Sequence, residues 1–261
     1  MSLFEPNFIP LKKALLDASA TIDGVKTNEI ANWLKSNLDE KKASVEKANY
    51  IQEIINKRNI SRVLHFTPLG NVENIMRHGL IPREYLELNI LKLDSAPLFP
   101  DGDRKDKRPN CFCASVSWPN YRMLHSKMLR GQFKNEEWVI IEFESIVLHE
   151  LDFSFYRTNA AKLESKRRGE DKFEDLFYDR EFRSKLGIGD EFTTDPEAEC
   201  MCEGRISPEQ IKAIYLRDIP KMSKSNYRYL TNLVKQKLIK QGLIKQMPEL
   251  FEARLDFKYW Q

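Results

Sequence analysis

The chain has 261 residues, enough to bury a core without disulfide staples or a structural metal. Apolar residues make up 41% and charged residues 31%, with 10 Gly and 12 Pro, which excludes a disordered or collagen-like chain. The net charge of +3 is too small to mark a polyanion binder by itself, so only local clustering bears on partners.

No stretch approaches 18 uninterrupted apolar residues. The N-terminal MSLFEPNFIPLKKALLDASATIDG puts Glu5 and Lys12/Lys13 where a signal peptide would keep an apolar run. The expectation is a cytoplasmic protein with no membrane partner. Over residues 1–60, FIPLKKALLDA, TNEIANWLKSNLDE opened by a cap at Thr27, and KKASVEKANYIQEIINKR read as two or three amphipathic helices, an N-terminal helical extension. A second domain is expected over 61–261. It starts with a short strand, SRVLHFTP, and a turn or two of helix, VENIMRH, stopped by Gly79. DSAPLFPDGDRKDKRPN, from Asp94 to Asn110, mixes prolines and a glycine with charges and predicts a long loop, of the kind that often carries function.

CFCASVSW, WVIIEFES, VLHELDF, CMCEGRI and IKAIYLRD read as five further strands, the second apolar enough to be central. Ser207-Pro208-Glu209-Gln210 is a capping-box start for a short helix. YRYLTNLVKQKLIKQG predicts an amphipathic helix ending at Gly242, and LFEARLDFKYW a last strand.

The four cysteines form two C-x-C pairs, Cys111/Cys113 and Cys200/Cys202. Structural zinc favours turn-borne C-x2-C spacings, whereas these pairs lie in strand-like runs, so they read as reduced buried thiols with no metal. His65, Thr67 and Asn71 lie in a strand-loop-helix unit, where loop N–H groups suit an anionic or amide-bearing ligand; a satisfied core histidine reads the same. Arg104 and Arg108 lie in the long loop, followed by Trp118 to Met123. A guanidinium there can fork a phosphate and the Tyr121 ring can stack on a heterocycle, or the loop is simply solvated. Alternation places Glu197 and Glu199 on one face at the start of CMCE, where a carboxylate can stabilise positive charge or accept a proton, or else form an exposed acidic turn. Lys162, Lys166, Arg167 and Arg168 follow Tyr156 and read as a single-strand nucleic-acid contact or a Lys-rich helix surface.

Four segments in this order, LHFTPLGNVENIMRHGL, DGDRKDKRPNCFCASVSWPNYRM, FYRTNAAK and DPEAECMCEGRISPEQIKAIYL, resemble the DarT-type DNA ADP-ribosyltransferases, toxins of bacterial toxin–antitoxin pairs. The resemblance implies an α+β ADP-ribosyltransferase fold, a split, twisted β core with flanking helices and an NAD cleft. It also implies a glycosyltransferase-class enzyme that attaches ADP-ribose to a base of single-stranded DNA, with NAD as co-substrate and a macrodomain antitoxin as partner. By the same resemblance Glu199 is the catalytic glutamate and Arg104 the arginine, with Arg108 as its rival. His65, Thr67, Asn71, Tyr121 and Met123 hold NAD, and Thr158 and Asn159, with Lys162, Arg167 and Arg168, face the DNA. FCASVSWPNYRM and TNAA are closer to the branch that modifies guanine than to the thymine branch. Two features depart from the family: Glu197 replaces a common glutamine, and Cys200 and Cys202 replace branched apolar residues. Two alternatives stand beside this reading: a non-catalytic nucleic-acid-binding domain of the same fold, and a transferase acting on protein or RNA.

Overall fold

The computed structural model describes residues 24–88, 93, 95–99, 104–130, 133–251 and 253–259. The helix expected at FIPLKKALLDA, and the part of the long loop at Asp101–Asp103, lie outside them. The next two expected helices are a single one, α1 (Gly24–Arg58). No proline or glycine follows Gly24 within it, and its Lys, Glu, Ala, Leu and Gln content favours continuation, so Thr27 lies inside the helix rather than capping it. Its last turns bury Ile51, Ile54 and Ile55 at helical spacing. The helix stops where Asn59 takes a left-handed φ of 55° and the Ile60 N–H reaches back to the Ile55 carbonyl at 3.0 Å. Contacts divide the chain into Met1–Ala48 and Asn49–Gln261, ahead of the 60/61 boundary read from the sequence, so these last turns belong with the larger unit.

That unit is built on β1 (Arg62–Pro68), β2 (Phe112–Val116), β3 (Trp138–Glu144), β4 (Phe153–Tyr156), β5 (Glu199–Cys202), β6 (Ile211–Leu216) and β7 (Ile244–Gln246). They form one sheet in the order β4-β5-β2-β1-β3-β6-β7, antiparallel throughout except for the parallel β6–β7 pair. The sheet is flanked by α2 (Val72–His78), α3 (Arg83–Glu87), α4 (Tyr121–Leu129), α5 (Val147–Glu150), α6 (Leu163–Arg168), α7 (Arg180–Leu186), α8 (Lys224–Lys235) and α9 (Met247–Phe251). The architecture is α+β. Strand β3 is an interior strand, between β1 and β6, and is buried on both faces: Val139, Ile141 and Phe143 enter one core, while Trp138 and Ile140 enter another with Leu64 and Tyr215.

The sheet is not evenly zipped. β1 pairs with β3 over seven residues, from Arg62↔Glu144 to Pro68↔Trp138, but with β2 only at Val63↔Val116 and Leu64↔Ser115. Past Leu64 the two strands part, and the rest of β2 pairs with β5 instead, from Phe112↔Cys202 to Ala114↔Cys200. The parting opens a cleft between His65 and Cys113.

Three expectations are corrected. VLHELDF is not one strand: Val147 and Leu148 sit in α5, and β4 starts only at Phe153. The amphipathic helix stops at Lys235, short of Gly242, because Lys237 adopts φ 60° and Leu238 N–H closes on the Leu233 carbonyl at 3.0 Å. Within LFEARLDFKYW, Leu250 and Phe251 end α9 and Leu255–Tyr259 is a 3-10 turn, and the last strand among the described residues is Ile244–Gln246. The capping box at Ser207 and Gln210 is present, with the Ser207 N–H donating to Gln210 Oε1 at 3.1 Å.

Candidate active site

The cleft between β1 and β2 widens into a cavity of about 380 Å³ whose wall includes His65, Thr67, Arg104, Asn120, Asn159 and Glu199. Glu199 and Arg104, far apart in sequence, therefore share one hollow.

Glu199 is the first residue of β5 and only 5% exposed. Its Oε1 accepts from Asn159 Nδ2 at 3.1 Å and its Oε2 from the Ala160 N–H at 2.8 Å. Both oxygens are thus fixed by the loop after β4, which fixes the carboxyl plane. Burial drives its pKa up to about 7, against the pull of the Ala160 N–H and Arg104 and with Asp106 and Glu197 adding to it. Glu197, two residues earlier, lies before the strand begins, where its carboxylate accepts from Lys162 Nζ at 2.7 Å.

The two candidate arginines separate. Arg104 Nε and Nη2 fork onto Asp106 at 3.1 and 2.8 Å, and Nη2 also donates to Cys113 Sγ at 3.3 Å inside the cavity. Arg108 does not line the cavity. It donates to Tyr156 Oη at 2.9 Å and to Glu170 and Glu203 at 3.2 Å each. Lys166 Nζ donates to the Lys105 carbonyl at 2.8 Å, tying α6 to the Arg104 loop.

On β1, His65 Nδ1 lies 2.8 Å from the Cys113 carbonyl, so a ring N–H bridges the point where the backbone ladder stops. Burial lowers its pKa to about 4, the Cys113 carbonyl opposing and Arg104 adding to the effect. The ring is therefore neutral near pH 7, with Nδ1 protonated and Nε2 left as an acceptor. Thr67 is buried and accepts from Asn71 Nδ2 at 2.8 Å. Asn71 also clasps Leu98, donating to its carbonyl and accepting from its N–H, both at 2.8 Å. Asn74, one turn on, donates to the Ser95 carbonyl at 2.9 Å. The amide side chains of this short helical unit thus hold the 95–99 strap along the cavity.

Met123 lines the cavity, and Tyr121 does not. The Tyr121 ring packs edge-on against Trp118 at 5.1 Å and Phe257 at 5.0 Å, so the ring read as a stacking platform belongs to an aromatic cluster. The neighbour that sequence reasoning passed over is Asn120. It caps α4 by accepting the Met123 N–H at 3.1 Å, is 2% exposed, and leaves Nδ2 in the cavity wall with no partner among the described residues. An asparagine directly before an amphipathic helix is an N-cap signal, which could have found it. His78 Nε2, also in that wall, is likewise buried and unpartnered.

The residues expected to face DNA are not equivalent. Thr158 and Asn159 are buried, the latter behind Glu199 rather than on a surface. Lys162 Nζ is shared between Thr158 Oγ1 at 3.0 Å and Glu197. Arg168 is taken up by Asp171 and Glu164. Arg167 is exposed with no partner among the described residues. Cys111, Cys200 and Cys202 are buried and Cys113 half-buried, all with free thiols.

The segment leading to Glu199 is gripped by two buried guanidiniums. Arg183 of α7 donates to the Phe192 and Gly189 carbonyls at 2.7 and 2.8 Å. Arg254 donates to the Thr194 carbonyl at 3.1 Å and pairs with Asp256, both side chains wholly buried. Neither arginine stood out in the sequence.

A family model described as "DarT: ssDNA thymidine ADP-ribosyltransferase, DarT" matches residues 64–251. No curated protein matches the chain in sequence. Among solved structures, Thermosipho africanus DarTG in complex with ADP-ribose is 15% identical over 73% of this chain and 50% of that one, with a TM-score of 0.49. This chain thus spans about half the length of that relative. Thermus sp. 2.9 DarT in complex with ADP-ribosylated ssDNA is 12% identical over 74% of this chain and 96% of that one, TM-score 0.47. The same protein in complex with NAD+ is 13% identical over 72% and 96%, TM-score 0.43.

Proposed function

The chain belongs to the DarT family of single-stranded-DNA ADP-ribosyltransferases, and from that premise we propose that it transfers ADP-ribose from NAD to a DNA base. The observation that carries the proposal is Glu199: a buried carboxylate, fixed at both oxygens, in one cavity with a cavity-lining guanidinium and a neutral imidazole. The cavity volume is within the range of cofactor clefts. The unpartnered Asn120 Nδ2 and the free His65 Nε2 supply a donor and an acceptor of the kind an amide and a ribose hydroxyl require.

Bound NAD supplies a glycosidic bond whose cleavage leaves positive charge on the ribose. Glu199, once ionised, stabilises that charge without reorientation, because Asn159 and Ala160 already hold it. Its pKa of about 7 also suits it to take a proton from an attacking base nitrogen. Arg104, oriented by Asp106, presents its remaining donors to the pyrophosphate. Asn71 and Asn74 keep the strap beside the ligand, and Met123 contributes apolar wall. Arg167 and Lys162 are the cations that the polymer meets first.

Guanine is the proposed target, supported by the wording of FCASVSWPNYRM and TNAA; thymine is the second reading, favoured by the family description. We place the protein in the cytoplasm as the toxin of a pair with a macrodomain antitoxin. The test is to incubate it with NAD and four base-biased single-stranded oligonucleotides, measuring nicotinamide release and product mass. One ADP-ribosyl adduct on the G-rich strand is expected. An adduct on the T-rich strand alone moves the target to thymine. Absence of nicotinamide release leaves a non-catalytic domain, and release with an adduct on protein or RNA alone changes the substrate class.

A further inference from the structure

One segment outside the cavity lining concentrates positive charge. Residues 217–245 hold eight Lys and Arg against the single carboxylate of Asp218, a net +7, so the rest of a chain whose total is +3 is net −4. Such a concentration is an electrostatic footprint that the whole-chain charge conceals.

Three of these eight cations fall on one stripe of α8. Lys224, Tyr227, Arg228 and Lys235 stand at i, i+3, i+4 and i+11, while Leu230 and Leu233 face the core. The stripe runs about 16 Å along the helix axis. It borders a shallow groove of about 560 Å³ against the turn at Ile219–Met222. The three cations are exposed and have no carboxylate partner among the described residues, and Tyr227 is 56% exposed. Nearer the cavity, Lys162 and Arg168 are neutralised by Glu197 and Asp171.

We infer that the α8 groove is a second single-stranded-DNA surface, which holds the strand beyond the modified base through phosphates on Lys224, Arg228 and Lys235 and a base stacked on Tyr227. Cations alone would suit an acidic protein equally well. An exposed ring between two of them, with the polar side chains of Thr231 and Asn232 also lining the groove, favours a polymer with both phosphates and flat bases. The choice of DNA over another polyanion rests on the proposed function, and the test is therefore read as binding without NAD.

The experiment compares the full chain with Lys224→Gln/Arg228→Gln/Lys235→Gln and with Tyr227→Ala, using fluorescence anisotropy on labelled single-stranded 6-mer and 24-mer oligonucleotides and on labelled poly-L-glutamate. Thermal melts check that these exposed substitutions leave the fold intact. For the triple variant, 24-mer affinity is expected to fall at least about tenfold, with a salt dependence shallower by about two in log–log slope. Tyr227→Ala is expected to lose about tenfold. Nicotinamide release with saturating 6-mer stays unchanged in both. Unchanged 24-mer affinity and slope overturn the inference. So does loss of poly-L-glutamate binding with DNA binding retained, which assigns the groove to an acidic protein. A wild-type chain that binds the 24-mer through these residues but modifies no DNA overturns the proposed function and leaves the groove standing.

Discussion

The two halves of the sheet divide the work between them. In the β1–β3–β6 half, β1 and β3 pair along their whole length, and six of the seven β3 residues are buried. In the β4–β5–β2 half, ladders are three or four residues long, and β2 lets go of β1 after two pairs. A fully paired, doubly buried strand has no polar group to spare for a ligand. A short strand at a parting releases side chains such as Glu199 and Cys113 into a cleft while its neighbours keep its position. The reactive carboxylate thus comes from the short ladders, while β1, held along its whole length by β3, presents His65 and Thr67 from a fixed position.

The strongest way to break that division is Glu199→Gln. DNA ADP-ribosylation, followed by mass spectrometry, is expected to fall about 100- to 1,000-fold with no loss of melting temperature. A near wild-type rate would remove Glu199 from the chemistry. The converse is Ile140→Ala in β3, fully buried in the second core. It should cost about 2–5 kcal/mol in a denaturant titration while activity per folded molecule stays within about twofold. A specific loss of activity would show the halves to be coupled. Third, Arg104→Gln is expected to lower kcat/KM for NAD more than about tenfold, and Arg108→Gln less than about threefold, because only Arg104 reaches the cavity. The reverse order would exchange their roles.

The smallest effect is in pH. Glu199 has a folded pKa of about 7 against an ordinary 4.5. Between those values the native state holds a proton that the unfolded state has lost, so stability should decline as pH rises through this window and level off above 7. Activity, which needs the carboxylate, should rise over the same window as kcat/KM. Glu199→Gln should flatten the stability trend; a slope that survives would come from another group.

Much of this was legible in the chain, and the rest has physical reasons for being hidden. Alternation found β2, β3 and β6, and the Ser207 capping box found its turn, because each is a local signal. His65 and Glu199 were visible as polar groups entering strands. LFEARLDFKYW misled because its charged and apolar residues alternate as in a half-buried strand, whereas Arg254 and Asp256 pair with each other and are wholly buried. The family resemblance alone assigns Thr158 and Asn159 to the DNA, and both are buried. Asn159 donates to Glu199, 40 residues away, a contact that no local pattern encodes. Asn120 was passed over for the aromatic Tyr121 beside it, although capping grammar singles out the asparagine.

The Arg254 grip on Thr194 spans 60 residues of sequence. A ribosome that has just completed β5 has already made every group proposed for the reaction, yet one of the two buried guanidiniums that grip the approach to Glu199 is still missing. The second hold arrives only once Arg254 has been made, so the nascent chain is chemically equipped before it is mechanically latched.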